Sequence, residues 1–176
     1  MTMAARHMSR SGALVALAAV VTLGGCDLHR ESKLRATLSA WFQLGDTLGF
    51  ESGPRCTAAV FRVRTNEVGA DLPMGESPSD AQGIYGLVGR AAIQMEGVSP
   101  HQLTDTMLLA NDGWFGKHAL GAAAQVGPCL NDQIEPGFHA AMTRPGAVLA
   151  YSAELDGVMV LDPVERKLFF AAGDTY

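Results

Sequence analysis

Residues 147–172, AVLAYSAELDGVMVLDPVERKLFFAA, carry the decision about how this chain folds. Three runs within it, 147–155, 158–161 and 167–172, are rich in Val, Leu, Tyr and Phe, the composition of strands. The first two are joined by Asp156-Gly157, a pair that tolerates the positive φ of a tight hairpin turn. The second and third are joined by Asp162-Pro163-Val-Glu-Arg166, where an Asx side chain and a fixed proline φ favour a second reversal. The stretch therefore predicts three consecutive antiparallel strands.

Working outward, residues 56–65 (CTAAVFRVRT) read as a fourth strand. Phe61 and Val63 alternate with Arg62 and Arg64, which predicts one buried face and one wet, basic face. Residues 66–83, crowded with Gly, Pro, Ser, Asp and Glu, read as a long loop. The remainder has helical spacing. Leu34, Leu38, Trp41 and Phe42 make an apolar stripe over 29–44 that continues into Leu44, Leu48 and Phe50. Ile84, Leu87, Val88, Ala91, Ala92 and Met95 make another over 81–95. Ser99-Pro-His-Gln102 is a capping box with proline at the first helical position, leading into Leu103, Met107 and Ala110 and ending at Asn111-Asp-Gly113. Residues 114–126 read as a further helix closed by Gly127-Pro128, and Asp132 with Glu135 repeats the capping-box pattern before a short helix through Met142. Helices between one strand and three predict an α+β fold, a small antiparallel sheet of about four strands covered on one face by helices.

The amino terminus has a separate character. Arg6 and Arg10 precede an apolar run, 13–25, that ends in Leu23-Gly24-Gly25 directly before Cys26. The run is shorter than the roughly 20 apolar residues a spanning helix needs, and its basic-then-apolar order ending on small residues is that of an exported leader. It resembles a bacterial lipoprotein signal with its lipobox. The resemblance implies removal of residues 1–25, a diacylglyceryl thioether on Cys26, and attachment to the periplasmic side of the cell membrane through that lipid. Asp27 resembles the inner-membrane retention signal of enteric members of the class. Residues 26–176 then form a single globular domain.

With Cys26 acylated in an oxidising compartment, Cys56 and Cys129 remain and are expected to pair. Chain entropy assigns a closed loop of roughly 70 residues about 4 kcal/mol. The formal net charge of −5 is unevenly spread: between 65 and 143 only Arg90 and Lys117 oppose nine acidic side chains. Arg30, Lys33 and Arg35 lie close to the expected anchor, where they would meet lipid headgroups. A net negative domain lacks the electrostatic footprint of nucleic-acid binding, so the expected partners are the bilayer and a protein of the cell envelope.

No Gly-x-Gly-x-x-Gly, Gly-Lys-Ser/Thr, His-Glu-x-x-His or Gly-x-Ser-x-Gly is present, and no histidine stands in helical register with another histidine or a cysteine as a metal site would require. No cofactor or metal is expected. His139 has Asp132 and Glu135 near it in sequence, and Ser152 on the following strand could complete a hydrolytic triad with them if the three side chains meet in space. Trp114-Phe115, beside the Asn111-Asp-Gly113 turn, is the candidate partner or ligand contact. Strong anchoring without a catalytic signature favours an accessory or interaction module of an envelope complex. A periplasmic hydrolase using His139 and a small-ligand binder near Trp114 and Phe115 are the alternatives.

Overall fold

A computed structural model describes residues 27–110 and 113–173. The leader, Cys26 and the Asn111-Asp112 pair lie outside the described residues. In chain order the elements are α1 (Glu31–Ser39), β1 (Phe42–Ser52), β2 (Cys56–Val68), β3 (Met74–Gly75), α2 (Pro78–Val88), β4 (Arg90–Ile93), α3 (Pro100–Leu108), α4 (Trp114–Gln125), a 3-10 turn (Gly127–Cys129), α5 (Glu135–Thr143), β5 (Val148–Ser152), β6 (Gly157–Asp162) and β7 (Lys167–Gly173). The seven strands form one open sheet in the order β1-β2-β7-β6-β5-β4-β3. Every pairing is antiparallel except that of β3 with β4.

The mixed α and β composition matches expectation, and the strand count exceeds it. Three strands were hidden. Residues 42–50 carry Phe42, Leu44, Leu48 and Phe50 at even positions, which is the period of a strand, and they form β1 rather than the end of a helix. Gly89 stops α2 because it adopts the left-handed φ of 71° that a helix C-terminus favours. The apolar residues Ala91, Ala92 and Ile93 then enter the sheet as β4. The expected loop over 66–83 contains the two-residue β3 and the start of α2, which Ser77 caps by accepting from the Asp80 amide.

The meander forms as read, with different turns. Both hairpins have four-residue loops, 153–156 and 163–166, closed by Asp156 and Arg166 at φ 41° and 53°. Gly157 is thus the first residue of β6. A Cβ there would clash with the Phe170 ring. The second loop is held by Asp162, whose carboxylate accepts from the Val164 and Glu165 amides and from Arg144 Nε at 2.7 Å.

Helices cover both faces of the sheet, not one. On the first, α2–α5 bury Phe115, Met107 and Phe138 against Val60, Leu149, Tyr151, Val160 and Phe169. On the second, Leu34 and Leu38 of α1, with Trp41 and the beginning of β1, bury Phe61, Met159, Leu161 and Phe170. The reason is in the strands themselves. Val158-Met-Val-Leu161 and Leu168-Phe-Phe-Ala-Ala172 are apolar at consecutive positions, so both faces need covering. Arg35 contributes to this second layer, with its guanidinium donating to Thr47 Oγ1 and the Gly45 carbonyl and lying 5.9 Å from the Phe61 centroid.

The Cys56–Cys129 disulfide is formed, with an S–S distance of 2.03 Å. It ties the start of β2 to the 3-10 turn after α4. The capping box at Ser99 is formed in both directions. The second expected box is not: Asn131, rather than Asp132, accepts from the Gln133 and Ile134 amides ahead of α5, because an Asx side chain reaches back to amides two and three residues on.

His29 fastens the residues that precede α1. The Leu28 amide donates to the Gly53 carbonyl at 2.8 Å, and the His29 amide donates to Ser52 Oγ. The Leu155 carbonyl can only accept, so His29 Nε2 carries the proton of that 3.0 Å bond. Nδ1 then accepts from the Thr57 hydroxyl at 3.1 Å, and Thr57 accepts from Ser52 at 2.8 Å. Every polar group of the ring is satisfied. Burial lowers the His29 pKa, outweighing the Leu155 bond and the Asp156 charge that act to raise it.

Candidate functional site

The loop 153–156 that receives His29 on one side borders a cleft on the other. The Ala153 amide donates to the carbonyl of Gly89 at the end of α2. Asp156 accepts a hydrogen bond from the Tyr151 hydroxyl. Tyr151, buried on β5, meets Tyr85 of α2 edge to face at 5.6 Å, and Tyr85 stacks on Phe115 at 5.8 Å. The Tyr85 hydroxyl shares a 2.7 Å hydrogen bond with His118 Nδ1. One helical turn back, Trp114 packs edgewise on His118 at 5.8 Å, with Lys117 Nζ 5.3 Å from the centroid of its ring. The two phenols stay protonated at neutral pH. Burial, then the Asp156 hydrogen bond and charge, push Tyr151 far above the ordinary phenol range, and burial followed by the Asp156 charge raises Tyr85.

Of these side chains, Tyr85, Trp114 and His118 line a cleft of about 710 Å³ between α2 and α4, with Gln82, Gly86 and Gly89 along its α2 wall. Gln82 Oε1 is buried and has no hydrogen-bond partner. Trp114 in the cleft wall is 60% exposed; Leu87, next to Gly86, is 85% exposed, and Leu109, next to Ala110, is 90% exposed. A second concavity, about 800 Å³, lies over the disulfide between the β1–β2 turn and the 3-10 turn. No aromatic side chain lines it.

No family model matches this chain, and no curated protein or solved structure is significantly similar to it. The site must therefore be read from its own geometry.

The structure separates the two residues of the Trp114-Phe115 pair. Phe115 is fully buried and supports Tyr85 from below, while Trp114 faces solvent. Adjacent helical positions differ by 100°, so one of the two had to turn inward. His139 and Ser152 are not brought together. His139 is exposed on α5 and faces Glu135 at 3.7 Å, with Asp132 exposed ahead of the helix. Tyr151 points to the α2–α5 face, so the next residue, Ser152, points to the other face. It is buried there, and its Oγ has no partner. Among the described residues, no group of three His, Cys, Asp or Glu side chains is placed to hold a metal ion, and no helix is long and apolar enough to cross a membrane. Sequence reasoning missed Tyr85, Tyr151, Asp156 and Gln82. No local pattern marks them, because the contacts that unite them join α2, α4 and β5 across long stretches of chain.

Proposed function

We propose that this protein is a membrane-tethered recognition module, residues 26–176 acting as one domain held at the periplasmic face by acylated Cys26, with Asp27 directing it to the inner membrane. Its contact surface is the cleft between α2 and α4, where it holds a protein partner of the cell envelope. One observation supports the reading above others. Trp114, in the wall of the cleft, and Leu87 and Leu109, each next in sequence to a lining residue, are large apolar side chains left in water, the anatomy of a partner-binding patch with an aromatic anchor. Tyr85, His118 and buried Phe115 hold the Trp114 end of α4 in place, so the surface is rigid before the partner arrives.

The test is affinity purification of the detergent-extracted lipoprotein. Wild type should bring down one stoichiometric envelope partner, and Trp114→Ala should lose it while Cys26 still incorporates palmitate. Recovery of the domain alone from the wild-type strain would end the module reading. Free full-length protein in the cytosol, without palmitate, would end the anchor reading.

A small apolar ligand is the second reading. It is favoured by the unpartnered Gln82 Oε1 beside a concavity of ligand-pocket size. Saturable quenching of Trp114 fluorescence by a small molecule, competing with the partner, would separate the two.

A further inference from the structure

We propose that the domain is seated on the bilayer by one defined end of its sheet, the end bearing the β1–β2 turn (Gly53 to Arg55) and the loop 153–156. The occupant of that surface is the lipid headgroup layer. The inference rests on acylation of Cys26 and adds an orientation to it.

The argument is one of reach. The Leu28 amide is bonded to the Gly53 carbonyl, and both ring nitrogens and the backbone amide of His29 are engaged with Ser52, Thr57 and Leu155. The folded body therefore begins at Leu28, two residues beyond Cys26. A fully extended chain spans at most about 3.5 Å per residue, so the leash is about 7 Å long. The headgroup layer of one leaflet is itself roughly 5–7 Å thick, the difference between the whole bilayer and its hydrocarbon core shared between two sides. Lipid chains on Cys26 therefore bring Leu28, Pro54, Arg55 and Glu154 against the headgroups, and all four are exposed.

Charge does not drive the seating. Arg30, Lys33 and Arg55 at this end are offset by Asp27, Glu31, Glu51 and Glu154, so the contact should form on zwitterionic and anionic lipid alike. The opposite end of the sheet, with the loop 163–166, stands off by the length of β6, about 20 Å for six residues at roughly 3.3 Å each. The Trp114 cleft belongs to the seated end, because its Gly89 wall is bonded to the loop 153–156. A partner in the cleft is thus met close to the membrane surface.

The experiment places p-benzoylphenylalanine at position 55, 154 or 164 of the full-length protein in its native membrane and measures light-induced adducts with phospholipid, alongside palmitate on Cys26. In the acylated protein, adducts at 55 and 154 should exceed those at 164 at least tenfold. Inserting ten Gly/Ser residues between Asp27 and Leu28, a coil of roughly 16–19 Å reach, should bring the three yields together without loss of palmitate. Comparable yields at all three positions in palmitate-bearing protein would overturn the seating and leave the anchor intact. So would a ratio unchanged by the insertion. Absence of palmitate would overturn the anchor, and the seating with it.

Discussion

The loop 153–156 divides two polar clusters that differ in one respect. On one side, His29, Ser52, Thr57 and the Leu155 carbonyl form a ring in which each donor has an acceptor. On the other, Tyr151 and Asp156 satisfy one another and Tyr85 satisfies His118, but Gln82 Oε1 is left without a partner and Trp114 is left in water. A buried network with nothing left over stabilises the fold and offers a ligand nothing. A cluster with an unused acceptor and an exposed aromatic has its remaining interactions to make with another molecule. The first holds the chain to itself; the second is shaped to hold something else.

That contrast predicts opposite responses to mutation: stability should fall on the closed side, and binding on the open side. The largest loss belongs to the Cys56–Cys129 staple, which fixes the strand that carries Thr57. Replacing both cysteines with serine should cost about 4 kcal/mol by the chain-entropy model for a sequence separation of 73, seen as a shifted denaturant midpoint. Next is Thr57→Val, which keeps the shape of a fully buried residue but leaves the Ser52 hydroxyl without its acceptor and His29 Nδ1 without its donor. A loss of about 1–3 kcal/mol is expected, and an unchanged midpoint would show that the ring contributes nothing.

A smaller effect is pH-dependent. The folded pKa of His29 lies below the unfolded value of 6.5, so the unfolded chain takes up the proton first as pH falls. The contribution of His29 is full above about pH 6.5 and declines below it. Urea midpoints of wild type and His29→Gln should therefore converge as pH is lowered from 7 to 5, and a constant gap would sink the assignment. The smallest change in stability is expected at Trp114→Ala, within about 0.5 kcal/mol because the side chain is exposed. The same substitution should abolish recovery of the envelope partner. A Trp114→Ala protein that unfolds more readily yet still binds would reverse the roles assigned to the two clusters.

Local pattern made much of the fold legible. The capping box at Ser99, the helix beginning at Trp114, the C-terminal meander and the cysteine pair each depend on neighbouring residues or on simple counting. The hidden strands were legible in principle, β1 through its period of two and β4 through the glycine that ends α2. They were obscured because Leu44, Leu48 and Phe50 also prolong a helical stripe, and because Ala91 and Ala92 suit a helix as well as a strand. Covering of the second face was implied by the unbroken apolar run of β6. The candidate site was legible only at Trp114. Phe115, adjacent in sequence, proved to be core.

From its sequence alone this chain determined the mixture of helices and strands, the meander of its last three strands and the pairing of Cys56 with Cys129. Each follows from dihedral preferences, short-range hydrogen bonding or thiol chemistry. Only tertiary structure decided that Tyr85, Tyr151, Asp156 and His118 meet, that Ser152 and His139 do not, and that His29 bolts the amino-terminal residues to the sheet. Those contacts join residues far apart along the chain, and their partners are chosen by sheet order and by the face each side chain takes. Strand order is a property of the whole packed core, so no window of sequence contains it.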